Sequence, residues 1–121
     1  MIIAFYIVAG LAALVFLGVG LMKVARPKPA LKENGMGWVE DFSAPSVKLI
    51  GLAEVLGGLG LILPVLTGIA PILSPIAGIA LAVVMIGAVV VHIRRKEPVV
   101  PPLVLAILAI AATILGFIVI S

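Results

Sequence analysis

The sequence predicts an all-α protein, a four-transmembrane-helix bundle with a short interfacial segment between the first and second helices. Hydrophobic residues make up 64% of the 121 residues and charged residues only 11%, with a mean hydropathy of +1.47. Soluble domains carry about 25% charged residues, so these charges could not cover a soluble surface of this size. The apolar residues fall into four runs of about 20 residues, the length at which a helix crosses a bilayer. We therefore expect a single integral membrane domain over 1–121.

The four predicted spans are separated by prolines and charged residues. The first span has no basic residue before Lys23 and is too long for the apolar core of a signal peptide, so it is interpreted as a permanent helix. Pro27 and Pro29 should end it, because proline lacks a backbone donor. Ser43 ahead of Pro45 resembles a helix start, with a capping side chain before an early proline. The predicted spans are 2–22, 46–63, 72–93 and 102–120.

The connector between the first two spans, 23–45, is long for a link between adjacent helices. Its stretch "ALKENGMGWVEDF" predicts a short amphipathic piece at the membrane surface, broken at Asn34–Gly35. Trp38 suits the headgroup level, where an indole buries its ring and keeps its N–H in contact with water. Trp38 is therefore predicted to be an interface anchor, with a packing role inside the connector as the alternative.

The distribution of basic residues predicts the orientation of the chain. The first and third connectors carry seven lysines and arginines between them, and the connector between the second and third spans carries none. Lysines and arginines concentrate in cytoplasmic loops. The expected location is the cell membrane, with both termini outside and the loops 23–45 and 94–101 in the cytoplasm. Arg94, Arg95 and Lys96 are interpreted as topology determinants of the third connector.

Glu54 is the one acidic residue inside a predicted span, in the stretch "VKLIGLAEVLGGLGLILP". It lies about 12 Å from the predicted start of its helix, at 1.5 Å per residue, which places it below the headgroups. A lone charge at that depth costs at least a few kcal/mol. Glu54 must therefore be neutral, paired, or in contact with a wet cavity.

Helical spacing predicts what surrounds Glu54. Gly51 and Gly58 share its helix face, with Gly57 beside it, and glycines let a second helix backbone approach closely. Gly20 precedes Lys23 on the expected partner face of the first span. We therefore predict that helices pack around the Glu54 face and keep it from lipid.

The predicted polar intramembrane cluster is Lys23, Glu54 and His92, all near the cytoplasmic end of their spans. Lys48 is a weaker partner, because it projects from a different face of the second span. Two interpretations stay open. In one, Lys23 pairs with Glu54 and locks two helices together while His92 lies at the interface. In the other, Glu54 carries a proton or anchors a ligand.

Composition excludes several classes of function. The chain has no cysteine and one histidine, which argues against disulfides, thiol redox chemistry, iron–sulfur clusters and a protein-only metal centre. No catalytic residues are assigned, and no metal site or cofactor is predicted. The net charge of +3 is explained by basic residues that flank spans, so no nucleic-acid partner is expected.

Four stretches, taken in order, resemble the DoxX-like membrane proteins, four-helix relatives of the DoxX/DoxD group. They are "FLGVGLMKVARP", "NGMGWVEDFS", "LIGLAEVLGGLGLILP" and "AVVVHIRRKE", and together they extend over nearly all of the chain. The family pattern has a glycine–lysine segment at the end of the first helix, which matches Gly20 to Lys23. It also has a glutamate in a glycine-rich second helix, matching Glu54, and a histidine after the third helix, matching His92.

The resemblance implies a membrane fold and little about activity. The group takes its name from a membrane subunit of a thiosulfate:quinone oxidoreductase, and some relatives are linked to sulfur or oxidative-stress metabolism. A more distant animal branch resembles chaperones for the assembly of nicotinic receptors. Thiol-based redox roles in the wider group do not carry over, because this chain has no cysteine.

Three functional hypotheses follow. The first is an accessory or interaction bundle in the lipid bilayer that binds a partner subunit, quinone or lipid, or a second copy of itself. The second is a small proton-coupled exporter of lipophilic cations that uses Glu54. The third is an enzyme; an independent active site is not predicted, but a quinone-linked oxidoreductase subunit could use a cofactor held by a partner.

Overall fold

The computed structural model describes residues 1–33 and 35–121, and it confirms the all-α class. Four of its helices are long and apolar enough to cross a membrane. The first connector contains a short α-helix and a 3₁₀-helix. In chain order the elements are α1 (Ile2–Ala25), α2 (Lys28–Glu33), the 3₁₀-helix η1 (Gly37–Asp41), α3 (Ala44–Thr67), α4 (Leu73–Arg94) and α5 (Val100–Ile120).

Helix α3 begins at a serine cap, two residues before the predicted start of the second span. The Ser43 hydroxyl accepts a hydrogen bond from the backbone N–H of Ser46 at 3.3 Å. This bond satisfies one of the donors that every helix N-terminus leaves open. Pro45 lies in the first turn, where its missing N–H costs nothing.

Helix α3 also continues through Pro64 to Thr67, four residues beyond the predicted end. Proline is tolerated inside a membrane helix where neighbouring groups satisfy the backbone that it disturbs. The missing N–H of Pro64 leaves the Gly60 carbonyl without its helical donor. The next carbonyl, that of Leu61, accepts a bond from the buried Ser74 hydroxyl at 2.6 Å. The helix ends at Gly68, whose φ of 75° is the left-handed conformation that glycine adopts without strain.

The four long helices form a ring in which each packs against two neighbours. Helix α1 contacts α3 and α5, and α4 contacts the same two helices. The centre is filled by a few large side chains among many small ones, including Phe5, Phe16 and Leu81. The outer surface is lined by exposed apolar side chains such as Ile3 and Leu14, as expected for contact with lipid.

The first connector folds over one end of this ring. Leu31 from α2, Val39 from η1 and Val47 from α3 form a small buried cluster, with Trp38 and Phe42 packed against it. The sequence predicted a break at Asn34–Gly35. Asn34 lies outside the described residues, and Gly35 has a φ of 92°, a conformation that glycine adopts more easily than other residues. The connector therefore closes the end of the bundle at which Glu54 lies.

Candidate functional site at the connector end of the bundle

Lys23 and Glu54 form a buried ion pair between α1 and α3. The Lys23 Nζ lies 2.5 Å from the Glu54 Oε1. Glu54 is fully buried, and Lys23 is 6% exposed. The carboxylate lies about 15 Å along α3 from Ala44, so it is well inside a helix that spans about 36 Å. A charge at that depth needs a partner of opposite sign, and Lys23 provides it.

Glycines bring the two helices close enough for this pair to form. A methyl group added at Gly51 would lie 2.6 Å from the Lys23 Cβ and 2.7 Å from the Gly20 carbonyl oxygen. One added at Gly20 would lie 2.6 Å from the Gly51 carbonyl oxygen. The two backbones therefore touch directly one turn before the ion pair.

The other two predicted packing glycines contact different neighbours. Gly58 continues the α1 contact, because a methyl group there would lie 3.2 Å from the Ala13 carbonyl oxygen. Gly57 faces α4, where an added methyl group would lie 2.6 Å from the end of the Leu81 side chain. The glycine-rich stretch of α3 thus packs against two helices.

Trp38 covers the ion pair from the connector side. The Lys23 Nζ lies 5.2 Å from the centroid of the indole, within the range of a cation–π contact. Phe42 packs edge-on against the same indole, with 5.6 Å between ring centroids. Trp38 therefore has the packing role that the sequence left as an alternative, and its depth relative to the headgroups stays a prediction.

His92 lies near the ion pair without bonding to it in the described part of the chain. Its Nδ1 is 2.7 Å from the Ala88 carbonyl oxygen, one turn earlier in α4. His92 lines the same cavity as Lys23 and Glu54. The structure thus brings the three predicted residues to one cavity and pairs two of them.

The cavity has a volume of about 570 Å³ and lies between the spans and the first connector. Four ionisable side chains line it, Lys23, Glu54, His92 and Glu97, together with Trp38. The rest of the wall is mainly apolar. Its other lining residues are Val19, Gly35, Met36, Phe42, Ile50, Val84, Met85, Gly87, Ala88, Val91, Pro98, Pro101, Pro102 and Leu105.

One buried polar atom on this wall is unsatisfied. The Glu54 Oε2 has no hydrogen-bond partner among the described residues, although its carboxylate is fully buried. Leaving a buried acceptor unpaired costs about 1–3 kcal/mol, and more for a charged group. The cavity is therefore a place where an additional donor would be stabilised.

Lys48 has a different role from the one considered for it in the sequence. Its Nζ donates to the Val24 carbonyl oxygen at 2.7 Å, at the C-terminal end of α1. A cation is favourable there, because the last carbonyls of a helix carry partial negative charge. Lys48 thus fastens α3 to the end of α1 on another side of the contact.

Arg95 forms ion pairs with acidic side chains of the first and third connectors, while the topology role predicted for Arg94, Arg95 and Lys96 stays a prediction. The Arg95 guanidinium lies 2.9 Å from Asp41, 3.4 Å from Glu40 and 3.2 Å from Glu97. Hydrogen bonding to Asp41 raises the pKa of Arg95 further above its ordinary value. Lys32 also pairs with Glu40, and its hydrogen bond lowers the pKa of that carboxyl.

These ion pairs place the first and third connectors at the same end of the bundle. They also hold Glu97, which lines the cavity. Sequence reasoning missed this network, although the acidic pair Glu40–Asp41 and the basic run at Arg94 were visible signals. Among residues 1–33 and 35–121, no group of three or more histidine or acidic side chains could hold a metal ion.

Comparison with known proteins gives the family. The model of the DoxX-like family matches residues 7–114, which cover most of each of the four spans and every residue that lines the cavity. No curated protein and no solved structure matches the chain. Since the match extends over most of the sequence, this multi-pass membrane protein belongs to the DoxX-like family.

Proposed function

We propose that this protein is an accessory membrane bundle that holds a small lipophilic molecule, of the quinone or lipid class, in the cavity beside Glu54. The observation that carries the proposal is the cavity itself. Its volume of about 570 Å³ falls within the range of small-molecule sites. A mainly apolar wall with a few polar groups suits a ligand with an apolar body and a polar head.

The polar groups are better suited to binding than to chemistry. Lys23 is bonded to Glu54, His92 to the Ala88 carbonyl, and Glu97 to Arg95. Side chains held by such bonds have fixed positions, which favours recognition of a ligand head group. If the ligand is a quinone, electron transfer to or from it belongs to a partner subunit.

Tryptophan fluorescence provides a direct test. The chain has one tryptophan, and Trp38 lines the cavity. We expect decylubiquinone to quench its emission saturably when added to the purified protein in phosphatidylcholine nanodiscs. A linear, non-saturating decrease equal to that of free tryptophan octyl ester in the same nanodiscs would contradict the proposal.

Two glycine variants make this test specific to the cavity. Gly87 lines the cavity, and a Cβ added there would meet nothing within 4 Å, so Gly87→Leu should narrow the site. Gly18→Leu makes the same change in open space away from the cavity and serves as the control. We expect Gly87→Leu to weaken binding at least about tenfold and Gly18→Leu to leave it unchanged.

Proton-coupled export of lipophilic cations is the second candidate. Glu54 on the cavity wall favours it, because a buried carboxylate can bind a cation or a proton. Lys23 opposes it, since its ammonium group lies 2.5 Å from the same carboxylate and would repel a cationic ligand. Saturable binding of tetraphenylphosphonium that is lost in Glu54→Gln would favour export over the accessory role.

A further inference from the structure

We infer that the cavity selects ligands that carry a hydroxyl donor, of the phenol or quinol class, over ligands of the same shape that carry only acceptors. The hydroxyl would donate its hydrogen bond to the Glu54 Oε2. This inference rests on the proposed function, because it names the chemical class of the molecule held in the same cavity.

The Glu54 carboxylate has a hydrogen-bond acceptor that no described residue satisfies. An ionised carboxylate only accepts hydrogen bonds, and its two oxygens need donors. Lys23 donates to Oε1 at 2.5 Å, while Oε2 has no partner among the described residues. Glu54 is fully buried and lines the cavity, so a donor held in the cavity would bond to Oε2 once the side chains that cover this oxygen shift slightly.

The hydrogen bond of His92 determines which of its ring nitrogens carries the hydrogen. The Ala88 carbonyl oxygen can only accept, so the His92 Nδ1, at 2.7 Å, must carry the hydrogen of that bond. In the neutral ring the other nitrogen, Nε2, is then an acceptor. A second polar side chain on the cavity wall thus has an acceptor left for a ligand.

Glu97 and Lys23 are the other two ionisable side chains that line the cavity. Glu97 is also an acceptor, and its Oε1 is already bonded to the Arg95 Nε at 3.2 Å. The His92 Nδ1–H donor is occupied by the Ala88 carbonyl, so Lys23 is the one of these four residues with donors to spare, and its ammonium group contacts both Glu54 and the Trp38 ring. Acceptors therefore outnumber donors among these side chains, and a ligand with a hydroxyl group matches them better than an ether or a quinone.

Two probe ligands that differ only in one hydroxyl donor can test this preference. Para-octylphenol and its methyl ether have nearly the same shape and apolar body, but only the phenol can donate a hydrogen bond. Binding of each to the nanodisc protein is followed by Trp38 emission, excited at the red edge where phenols do not absorb. We expect the phenol to bind at least about tenfold more tightly, since a bond to a charged group is stronger than a neutral one.

The outcomes separate this inference from the proposed function. Equal affinities for the phenol and the ether would overturn the donor preference, with Oε2 satisfied by water, and would leave lipophile binding intact. If neither probe nor decylubiquinone bound saturably, the proposed function would fail first.

An isosteric variant gives a second test. In Glu54→Gln the amide can direct its oxygen to Lys23 and its NH₂ group into the cavity, which replaces an acceptor by a donor. We expect the preference for the phenol to disappear or reverse. Glu33→Gln makes the same change at an exposed position away from the cavity and should keep the wild-type ratio. An unchanged ratio in Glu54→Gln would contradict the assignment of Oε2 as the recognition atom.

Discussion

Glu54 is tolerated inside a membrane helix because Lys23 lies beside it and offsets part of the cost of its charge. Taking a carboxylate and an ammonium group from water costs several kcal/mol each, about as much as a close pair regains. The pair is therefore a weak source of net stability, but the loss of one partner leaves an uncompensated charge. Its main effect is to fix α1 and α3 in one register.

A double-mutant cycle measures this coupling. Lys23→Met or Glu54→Gln alone should each destabilise the protein by about 3–5 kcal/mol, because each leaves a buried charge without its counter-charge. The double variant should lose clearly less than the sum. Thermal unfolding in a mild detergent, followed by the helical circular dichroism signal, provides the measurement.

Lys48→Met is the matched control for this cycle, because Lys48 also bonds to α1 but does so through the Val24 carbonyl. Its effect should add to that of Glu54→Gln within about 0.5 kcal/mol, as for independent sites. If the losses of Lys23→Met and Glu54→Gln were also additive, the two side chains would not interact in the folded protein.

At the scale of elements, α3 makes two kinds of contact with its neighbours. Against α1 it presents backbone to backbone, with Gly20 and Gly51 in direct contact. Against α4 it presents Gly57 to the end of a leucine side chain, which can change rotamer. At the first contact backbone atoms would have to separate to admit added volume, whereas at the second a buried side chain would have to shift.

Alanine substitutions should reveal this difference. Gly51→Ala places a methyl group 2.6 Å from the Lys23 Cβ and should cost about 1–3 kcal/mol or more, because the helices must separate. Gly57→Ala should cost less, since Leu81 can move away. Both are compared by thermal unfolding in detergent with Gly18→Ala, where the added methyl group meets open space.

A stabilised Gly57→Ala variant would agree with this account, since alanine favours the helix over glycine by about 1 kcal/mol. Equal destabilisation by Gly51→Ala and Gly57→Ala would show that the α1–α3 contact is no tighter than the α3–α4 contact. The test is whether Gly51→Ala destabilises the protein more than Gly57→Ala, and it does not depend on the size of either effect.

At the scale of the whole molecule, salt bridges join the first and third connectors beside the cavity. Arg95 binds acidic groups of both connectors, and Lys32 binds Glu40. These bonds are more exposed than the Lys23–Glu54 pair, so each contributes little by itself. Together they fasten the first connector, including Trp38, over the ion pair.

The contribution of Glu40 should depend on pH. Its pKa in the folded protein is lowered by Lys32, so its stabilising effect is present above the ordinary carboxyl pKa and is lost as the pH falls through the lowered value. We expect Glu40→Gln to lower the melting temperature slightly at neutral pH and to have no effect in acid. Glu33→Gln is the control, and a Glu40→Gln effect that persisted in acid would refute the ion-pair explanation.

The sequence predicted the spans and the Lys23–Glu54 juxtaposition because both follow from strong local rules. Hydropathy determines the spans, and a buried carboxylate requires a partner at its own depth. The continuation of α3 past Pro64 was missed because the predicted span ends just before this proline, although membrane helices tolerate proline. The cavity was not predicted, since its volume results from the packing of several helices and the connector.

The orientation of the bundle stays a prediction, and the absence of cysteine makes it easy to test. The seven basic residues of the first and third connectors predict that this end faces the cytoplasm. A membrane-impermeant maleimide should therefore label Ser121→Cys and Ile69→Cys in intact cells, because both positions are exposed at the opposite end. Glu33→Cys should react only after permeabilisation. The reverse pattern would place the cavity, and any partner that meets the connectors, on the outer side of the membrane.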